Sequence, residues 1–311
     1  MGVRLATKTL EAINDALERD QGSAYRGILG KVIPTMDDAY RTDEGGFRSH
    51  LGVSMIGEEC TRKLFYGWRW ASKPVHNAKT IRLFNRGHLE EARFMALLMA
   101  AGMQVYQQDA NGKQFRVSYA NGHFGSAIDG VVIGCPDLPA GQACLVEMKT
   151  HNQKSFDKLV KEGMRISKGE HFTQMQVYKR FNMIPVGLYI AVNKNTDELY
   201  AEIINLEPEY ADMYVDRGIK IVFMDEPPKG ISEDGSFYKC KWCDHNKTCH
   251  SGYAPVINCR TCSYSKPNED GKWYCTYGQS VDPMSYPVVI DKERQELACP
   301  QYSRAWYYGD K

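Results

Sequence analysis

The chain lacks a long hydrophobic run. Its longest apolar stretches, such as residues 95–103, are too short to span a bilayer, which takes about 20 residues. Residues 1–20 contain neither an apolar run of signal-peptide length nor a small-residue cleavage site. Ala6 stands where a myristoylation signal has Ser or Thr. We therefore expect a cytoplasmic protein that does not engage a membrane.

The chain also lacks an excess of charge of either sign. Lys and Arg number 39 and Asp and Glu 38, which gives a net charge of +1. This balance excludes a generally polycationic protein, but it leaves room for a local basic groove. With 43% hydrophobic and 25% charged residues, the composition is that of a globular chain. A length of 311 residues predicts about two domains.

Cysteine is too sparse for a small fold held together by disulfides, with ten cysteines in the chain. Seven of the ten lie between Cys240 and Cys299. Such clustering indicates metal coordination. In a reducing compartment we expect the cysteines to be thiols or ligands.

Hydrophobic periodicity predicts helices alternating with strands, and hence an α/β fold. Residues 20–50 are rich in Gly, Asp and Arg and are predicted to be a loose lead-in, and Pro227–Gly230 is predicted to be a boundary. The predicted helices cover 7–19, 80–102, 153–163, 170–183 and 207–223, and the predicted strands cover 114–120, 124–134, 143–150, 186–193 and 198–205.

Two predicted strands end in charged residues. Asp129 is placed at the end of one strand, and Glu147 and Lys149 at the end of the next. Side chains alternate along a strand, so Glu147 and Lys149 share a face. Carboxylates suit Mg²⁺, and an amine beside them can contact a phosphate or a metal-bound water. The alternatives are ordinary ones, since E-x-K is often a solvated ion pair and an Asp before Gly is often part of a turn.

Two predicted helices carry further polar residues. Glu90 and Glu91 each share a helical stripe with apolar residues, and a buried acid needs a partner, for which a metal is one candidate. Periodicity alone does not choose between them. Gln174 and Tyr178 stand four apart on one face of the helix predicted at 170–183.

Four motifs in order resemble the PD-(D/E)xK nuclease superfamily, in its RecB-like branch. They are G-x-x-x-E ending at Glu91, G-x-x-x-D ending at Asp129, E-x-K from Glu147 to Lys149, and Q-x-x-x-Y from Gln174 to Tyr178. The register of the first favours Glu91 over Glu90, where many members have a His. The resemblance implies a restriction-endonuclease-like core, with a mixed central sheet flanked by helices.

The resemblance also implies roles for the matching residues. Glu91, Asp129, Glu147 and the backbone carbonyl of Met148 would hold Mg²⁺ or Mn²⁺. Lys149 would orient or deprotonate the attacking water. Gln174 and Tyr178 would position DNA.

A first cysteine set consists of a distant Cys60 followed by a C-x2-C-x5-C run. It resembles the iron–sulfur nucleases, namely the CRISPR-associated RecB-like exonucleases and the AddB-type subunits. The resemblance implies a [4Fe–4S] cluster that joins the two ends of the nuclease domain. The alternative is a zinc site built from Cys243, Cys249 and His245 or His250, with Cys60 simply buried. The implied cluster ligands are Cys60, Cys240, Cys243 and Cys249.

A second cysteine set, Cys259, Cys262, Cys275 and Cys299, resembles a zinc ribbon. The alternative is a group of loosely placed free thiols. Cys135 and Cys144 are predicted to be small buried hydrophobes. The predicted domains are a lead-in at 1–50, a clasped nuclease domain at 51–252 and a zinc-ribbon-like module at 253–311.

The resulting hypothesis is a Mg²⁺- or Mn²⁺-dependent deoxyribonuclease, an exonuclease acting on single strands or DNA ends. Its setting would be phage recombination, replication or host-DNA degradation in an infected bacterial cell, with DNA and a phage recombination or replication protein as partners. One alternative is a catalytically idle DNA-binding or assembly protein, and another is a metal-binding scaffold. The aromatic and basic segment 62–70 is predicted to pack into a core rather than to bind DNA.

Overall fold

The computed structural model describes residues 2–40 and 46–309. The helices are α1 Thr7–Arg19, α2 Ser23–Val32, α3 Asp37–Tyr40, α4 Thr61–Trp68, α5 Ala78–Ala100, α6 Gln153–Ser167, α7 Gly169–Asn182, α8 Pro208–Phe223, α9 Tyr238–Lys241, α10 Asn246–His250, α11 Tyr277–Val281 and α12 Lys292–Leu297. The strands are β1 Leu51–Gly52, β2 Gln104–Tyr106, β3 Arg116–Tyr119, β4 Phe124–Ala127, β5 Gly130–Ile133, β6 Ala143–His151, β7 Val186–Asn193, β8 Leu199–Asn205, β9 Ser265–Pro267, β10 Trp273–Cys275 and β11 Val288–Ile290.

The described residues form two compact units that interleave along the sequence. The first lies within Met1–Asp43, His76–Val117 and Ala127–Asp212, and the second within Glu44–Val75, Ser118–Ser126 and Met213–Lys311. The domain boundaries predicted at residues 50 and 252 differ from the bounds of these units. They stay a prediction.

A mixed five-stranded sheet is the centre of the first unit. Its order is β2-β5-β6-β7-β8, and β6 and β7 are parallel while the other neighbours are antiparallel. Helices α5, α6 and α7 pack against β6. The α/β class and the mixed sheet flanked by helices are therefore confirmed.

Strand β6 has a hydrophobic face and a polar face, because side chains alternate along a strand. Val146 and Met148 lie in the same hydrophobic core as Ala92 and Met95 of α5. Glu147 lies between them in the sequence and must therefore point to the opposite side of the sheet. The alternation of side chains along this nine-residue strand thus places Val146 and Met148 in the hydrophobic core and Glu147 on the opposite face, where the candidate site lies.

The single strand predicted over 124–134 is wrong, because this segment forms two strands in different sheets. β4 pairs with β1 in a three-stranded sheet, whereas β5 pairs with β6 in the five-stranded one. Asp129 therefore directly precedes β5 instead of ending a strand. Since β5 and β6 are antiparallel and Gly130 faces Val146, Asp129 still meets the Glu147 segment.

The loose lead-in predicted for residues 20–50 is also wrong where the structure describes it. Residues 23–32 form α2, which packs against α5. Gly27 and Gly30 lower the helix propensity of this segment, so its helix depends on that packing. Residues 41–45 of the predicted lead-in lie outside the described residues.

The second unit contains the small sheet β11-β10-β9 and most of the small sheet β1-β4-β3. Its core includes a buried guanidinium, that of Arg260, which lies 4.3, 3.9 and 4.5 Å from the rings of Trp68, Trp70 and Trp273. The aromatic and basic segment 62–70 is thus core, as predicted, with Phe65, Trp68 and Trp70 almost fully buried. Among the described helices, none combines the length and hydrophobicity of a membrane-spanning segment.

Candidate active site and cysteine sites

Three charged side chains of the first unit meet at the junction of β5 and β6. The Lys149 ammonium lies against Oε1 of Glu147 and 3.9 Å from Oδ2 of Asp129. The Met148 backbone N–H donates to the same Asp129 oxygen at 2.8 Å. The structure thus brings Asp129, Glu147, Met148 and Lys149 together.

Glu147 is the most buried acid of this group, with no exposed surface. Neither of its carboxylate oxygens accepts a hydrogen bond of good geometry within the described residues, although Lys149 adjoins Oε1. Burial and the charge of Asp129 raise the pKa of Glu147 to about 7, against the opposing effect of Lys149. A cation bound here would relieve the repulsion between the two carboxylates.

Lys149 responds to the same group in the opposite sense. Burial alone would lower the pKa of its ammonium, but Glu147 and Asp129 together raise it well above the ordinary value. Lys149 is therefore a permanent cation in the metal-free site. In that state it can donate hydrogen bonds, but it cannot accept a proton from water.

Helix α7 brings the predicted pair Gln174 and Tyr178 to this face of the sheet. Gln174 Nε2 donates to Tyr178 Oη at 3.0 Å, as expected for residues one helical turn apart. The amide of Gln174 is also near enough to lower the pKa of Glu147. Both side chains are buried, with 6% and 1% exposure, so little of either side chain is open to a DNA strand. Their predicted contact with DNA stays a prediction.

Glu91 and Glu90 lie half-buried in the middle of α5. Glu90 pairs with Arg93, whose Nη1 is 3.4 Å from its Oε2, and burial raises the pKa of Glu90. The choice of Glu91 over Glu90 as the helix ligand stays a prediction.

We expect the two glutamates of α5 to differ in the effect of the same conservative change. Glu91→Gln should lower the rate of DNA cleavage by about tenfold to a hundredfold, since it removes a carboxylate charge that would bind the metal ion. Glu90→Gln, the matched control, should leave the rate within about twofold because it loses only the ion pair with the exposed Arg93 side chain. The measurement is the initial rate on end-labelled DNA across a Mg²⁺ titration. The reverse order of effects would move the ligand to Glu90.

A buried polar network that no sequence motif indicated adjoins the site. The Tyr189 hydroxyl lies 2.8 Å from His151 Nε2 and 3.0 Å from His171 Nδ1. Ser155 Oγ lies 3.3 Å from His151 Nδ1 and accepts from Lys168 Nζ at 2.6 Å. The period of two in Glu147, Lys149 and His151 could have indicated the histidine. Tyr189 is the parallel-strand partner of Glu147, which no local pattern reveals.

Burial controls the charge of this network. Burial, followed by the charges of nearby lysines, lowers the pKa of His151 to about 4. The pKa of His171 is also well below its ordinary value, because of burial and then Lys149. Both imidazoles are therefore neutral at physiological pH and do not add positive charge beside Lys149.

The first cysteine set converges in the second unit. Cys60, Cys240, Cys243 and Cys249 line one pocket, together with Arg62 and Lys63. The Arg62 guanidinium donates to Cys249 Sγ at 3.5 Å and to the Pro228 carbonyl. Burial, followed by the charges of Cys60 and Cys249, raises the pKa of Cys240. Four thiols and two cations thus meet at one place.

His245 lies beside the same pocket. Its ring is buried, and its Nδ1 has no hydrogen-bond partner in the part of the chain that is described. Burial lowers its pKa to about 4. His245 is therefore a candidate ligand in the zinc alternative, which stays a prediction.

The second cysteine set also converges, around the sheet of β9, β10 and β11. Burial raises the pKa of Cys259 to about 11, and the charges of Cys262, Cys299 and Cys275 contribute. Cys275 ends β10, opposite Val288 of β11. No group of three or more His, Cys, Asp or Glu side chains in residues 2–40 and 46–309 has the geometry of a metal site. Cys135 and Cys144 lie in the core of the first unit, as predicted.

The chain matches no protein-family model and no curated protein. Among solved structures it is similar to an alkaline exonuclease, LHK-Exo from Laribacter hongkongensis, at 14% identity and a TM-score of 0.41, over 56% of this chain and 86% of that one. A complex of LHK-Exo with dAMP gives 15% identity, with the same TM-score and coverage. The structure of SSO0001 is similar at 14% identity and a TM-score of 0.36, over 74% of this chain and 97% of that one.

Proposed function

We propose that the chain is a metal-dependent deoxyribonuclease with Asp129, Glu147 and Lys149 in its active site. The observation that carries the proposal is the fully buried Glu147 carboxylate, which shares one ammonium, that of Lys149, with a second acid, Asp129. One ammonium does not balance two carboxylates, and an uncompensated buried charge is costly. A divalent cation would supply the missing positive charge.

The donor set fits Mg²⁺ or Mn²⁺. Asp129, Glu147 and the Met148 carbonyl offer hard oxygens, which these ions prefer, and Glu91 would add a fourth from α5. When bound, the ion would polarise the scissile phosphate and lower the pKa of a bound water.

Other groups of the chain position the acids and the substrate. The Met148 N–H fixes the orientation of Asp129 by holding its Oδ2. Gln174, braced by Tyr178, limits the movement of Glu147. Lys149, as a cation, orients a water or a phosphate oxygen by donating to it and stabilises the negative charge that develops on the phosphate.

The finer parts of the proposal depend on the resemblance of the four motifs in order. It supports exonuclease action on single strands or DNA ends, in phage recombination or replication. We propose in addition a [4Fe–4S] cluster at Cys60, Cys240, Cys243 and Cys249, and zinc at Cys259, Cys262, Cys275 and Cys299. Thiolates suit both groups. The four cysteines of a [4Fe–4S] cluster each bind a different iron atom, so their sulfur atoms stand further apart than those of four cysteines around a single zinc ion.

The function is tested by cleavage of end-labelled single- and double-stranded DNA, with circular DNA as the control, in Mg²⁺ and in Mn²⁺. We expect linear DNA to be degraded and Lys149→Ala to lose at least about a hundredfold of the rate. Lys158→Ala, an exposed lysine of the same unit, is the matched control and should retain full activity.

Two outcomes would contradict the proposal. Equal cleavage by Lys149→Ala would remove this site from the reaction, and no cleavage of any substrate by the metal-loaded chain would favour the idle DNA-binding alternative. Degradation of circles would replace the exonuclease by an endonuclease.

A further inference from the structure

The segment from Phe237 to Tyr253 exposes aromatic rings next to lysines. Trp242 is 81% exposed, Tyr238 66% and Tyr253 59%. The Lys241 Nζ lies 5.4 Å from the centroid of the Trp242 ring, and the lysines at 239 and 247 lie 5.9 and 5.5 Å from the rings of Tyr238 and Tyr253. Each of these three rings thus has a cation at its surface.

Several aromatic side chains of the second unit are buried instead, while Tyr286 and Trp306 are exposed. Phe65, Tyr66, Trp68, Trp70 and Trp273 are all buried there, so the unit does not lack sites for aromatic packing. Helices α9 and α10 span four and five residues and offer little surface on which rings could be covered. Exposed large rings that lie beside cations indicate a binding site more often than a packing fault.

The charge of the segment is also distinctive. Residues 237–253 contain the lysines at 239, 241 and 247 and a single acid, Asp244, whereas the whole chain is close to neutral. Lys239 pairs with Glu59 at 2.7 Å, while Lys241 and Lys247 are exposed. The patch is locally basic.

We propose that Tyr238, Trp242 and Tyr253, with Lys241 and Lys247, form a binding surface for single-stranded nucleic acid. Unpaired bases stack on aromatic rings, and lysines between the rings contact the phosphates. In a duplex the base faces are already covered by their neighbours, so exposed rings favour a single strand. The inference rests on the proposed function in taking DNA as the polymer, and it deepens that function by naming the form of the substrate.

The test measures binding without cleavage. The full-length chain with Lys149→Ala, in buffer without divalent ions, is titrated into a fluorescein-labelled oligo(dT), and the dissociation constant is read by anisotropy. Adding Tyr238→Ala and Trp242→Ala should weaken binding by at least about tenfold, because each change removes a ring on which a base would stack. Trp306→Ala is the matched control, since Trp306 is another exposed tryptophan of the same unit, at 73% exposure, and should leave the affinity unchanged.

A second pair of changes tests the role of the lysines at the phosphates. Lys241→Gln with Lys247→Gln should reduce the salt dependence of log K by about 1.4, since each lysine that neutralises a phosphate of a single strand adds roughly 0.7 to that slope. Circular dichroism and thermal melting of each variant establish that it is folded. These exposed side chains can be changed without disturbing the core.

The proposal is overturned if the ring variants bind oligo(dT) as tightly as their parent, or if Trp306→Ala weakens binding equally. Ring-dependent binding of poly-Glu with no binding of oligo(dT) would also overturn it and would make the patch a site for acidic proteins. A failure of the proposed function gives another result. In that case the wild-type chain would cleave no DNA, but it would still bind oligo(dT), and this binding would still depend on the rings.

Discussion

Glu147→Gln is expected to abolish DNA cleavage while leaving the fold intact. The change keeps the shape of a side chain that has no exposed surface, but it removes the charge that a divalent cation requires. Loss of several kcal/mol of transition-state stabilisation corresponds to a fall of about a thousandfold or more in rate. The measurements are single-turnover cleavage of end-labelled DNA and Mn²⁺ binding by calorimetry.

The same variant tests the raised pKa of Glu147. Since this pKa is about 7 in the folded, metal-free chain and about 4.3 in an unfolded one, the folded state holds a proton that the unfolded state releases. The stability of the metal-free protein should therefore fall as pH rises from about 4 through 7. Glu147→Gln should remove that fall and be more stable than wild type at pH 8, by roughly 1–3 kcal/mol.

Metal binding should follow the opposite trend with pH. The cation displaces the proton on Glu147, so Mn²⁺ affinity should rise between about pH 6 and 8 in the wild type and vary little in Glu147→Gln. Glu198→Gln, an exposed acid of the same unit, is the matched control. If Glu147→Gln retains both Mn²⁺ binding and cleavage, Glu147 is a structural acid and the site assignment is wrong.

The central part of the site could be predicted from the sequence because its geometry is local. Glu147, Met148 and Lys149 are consecutive, and the alternation along a strand fixes which of them face the site. Gln174 and Tyr178 are one helical turn apart. Asp129 does lie beside Glu147, although the strand predicted to end there is wrong, since the change from one sheet to another at residues 128–129 leaves no local mark in an apolar run.

The remainder of the site depends on contacts between distant segments. Tyr189 reaches the site through the register of β6 and β7, and the raised pKa of Glu147 depends on complete burial, which composition does not encode. The basic aromatic segments show the same difficulty. Segments 62–70 and 237–253 have similar residue types, yet tertiary packing buries the rings of the first and leaves those of the second exposed.

Cys243→Ser is expected to remove the visible absorbance of the purified protein and to destabilise the second unit. Cys243 lines the pocket with three other cysteines, one of which, Cys60, is far away in the sequence. A cluster there would close a very long loop, and binding free energy at such a site is folding free energy. Anaerobic purification, iron and zinc analysis, an absorbance spectrum and a thermal melt measure the effect.

The matched control is Cys144→Ser, a change of the same type in the core of the first unit. It should lower the melting temperature through the cost of a buried hydroxyl, but it should keep the wild-type content of iron and zinc. Cys262→Ser should lose zinc and retain iron, because Cys262 belongs to the other set. A colourless wild type that contains zinc alone would exclude the cluster. In that case, loss of a zinc ion in both Cys243→Ser and His245→Ala would place a zinc site in the first pocket, which His245 and His250 also line.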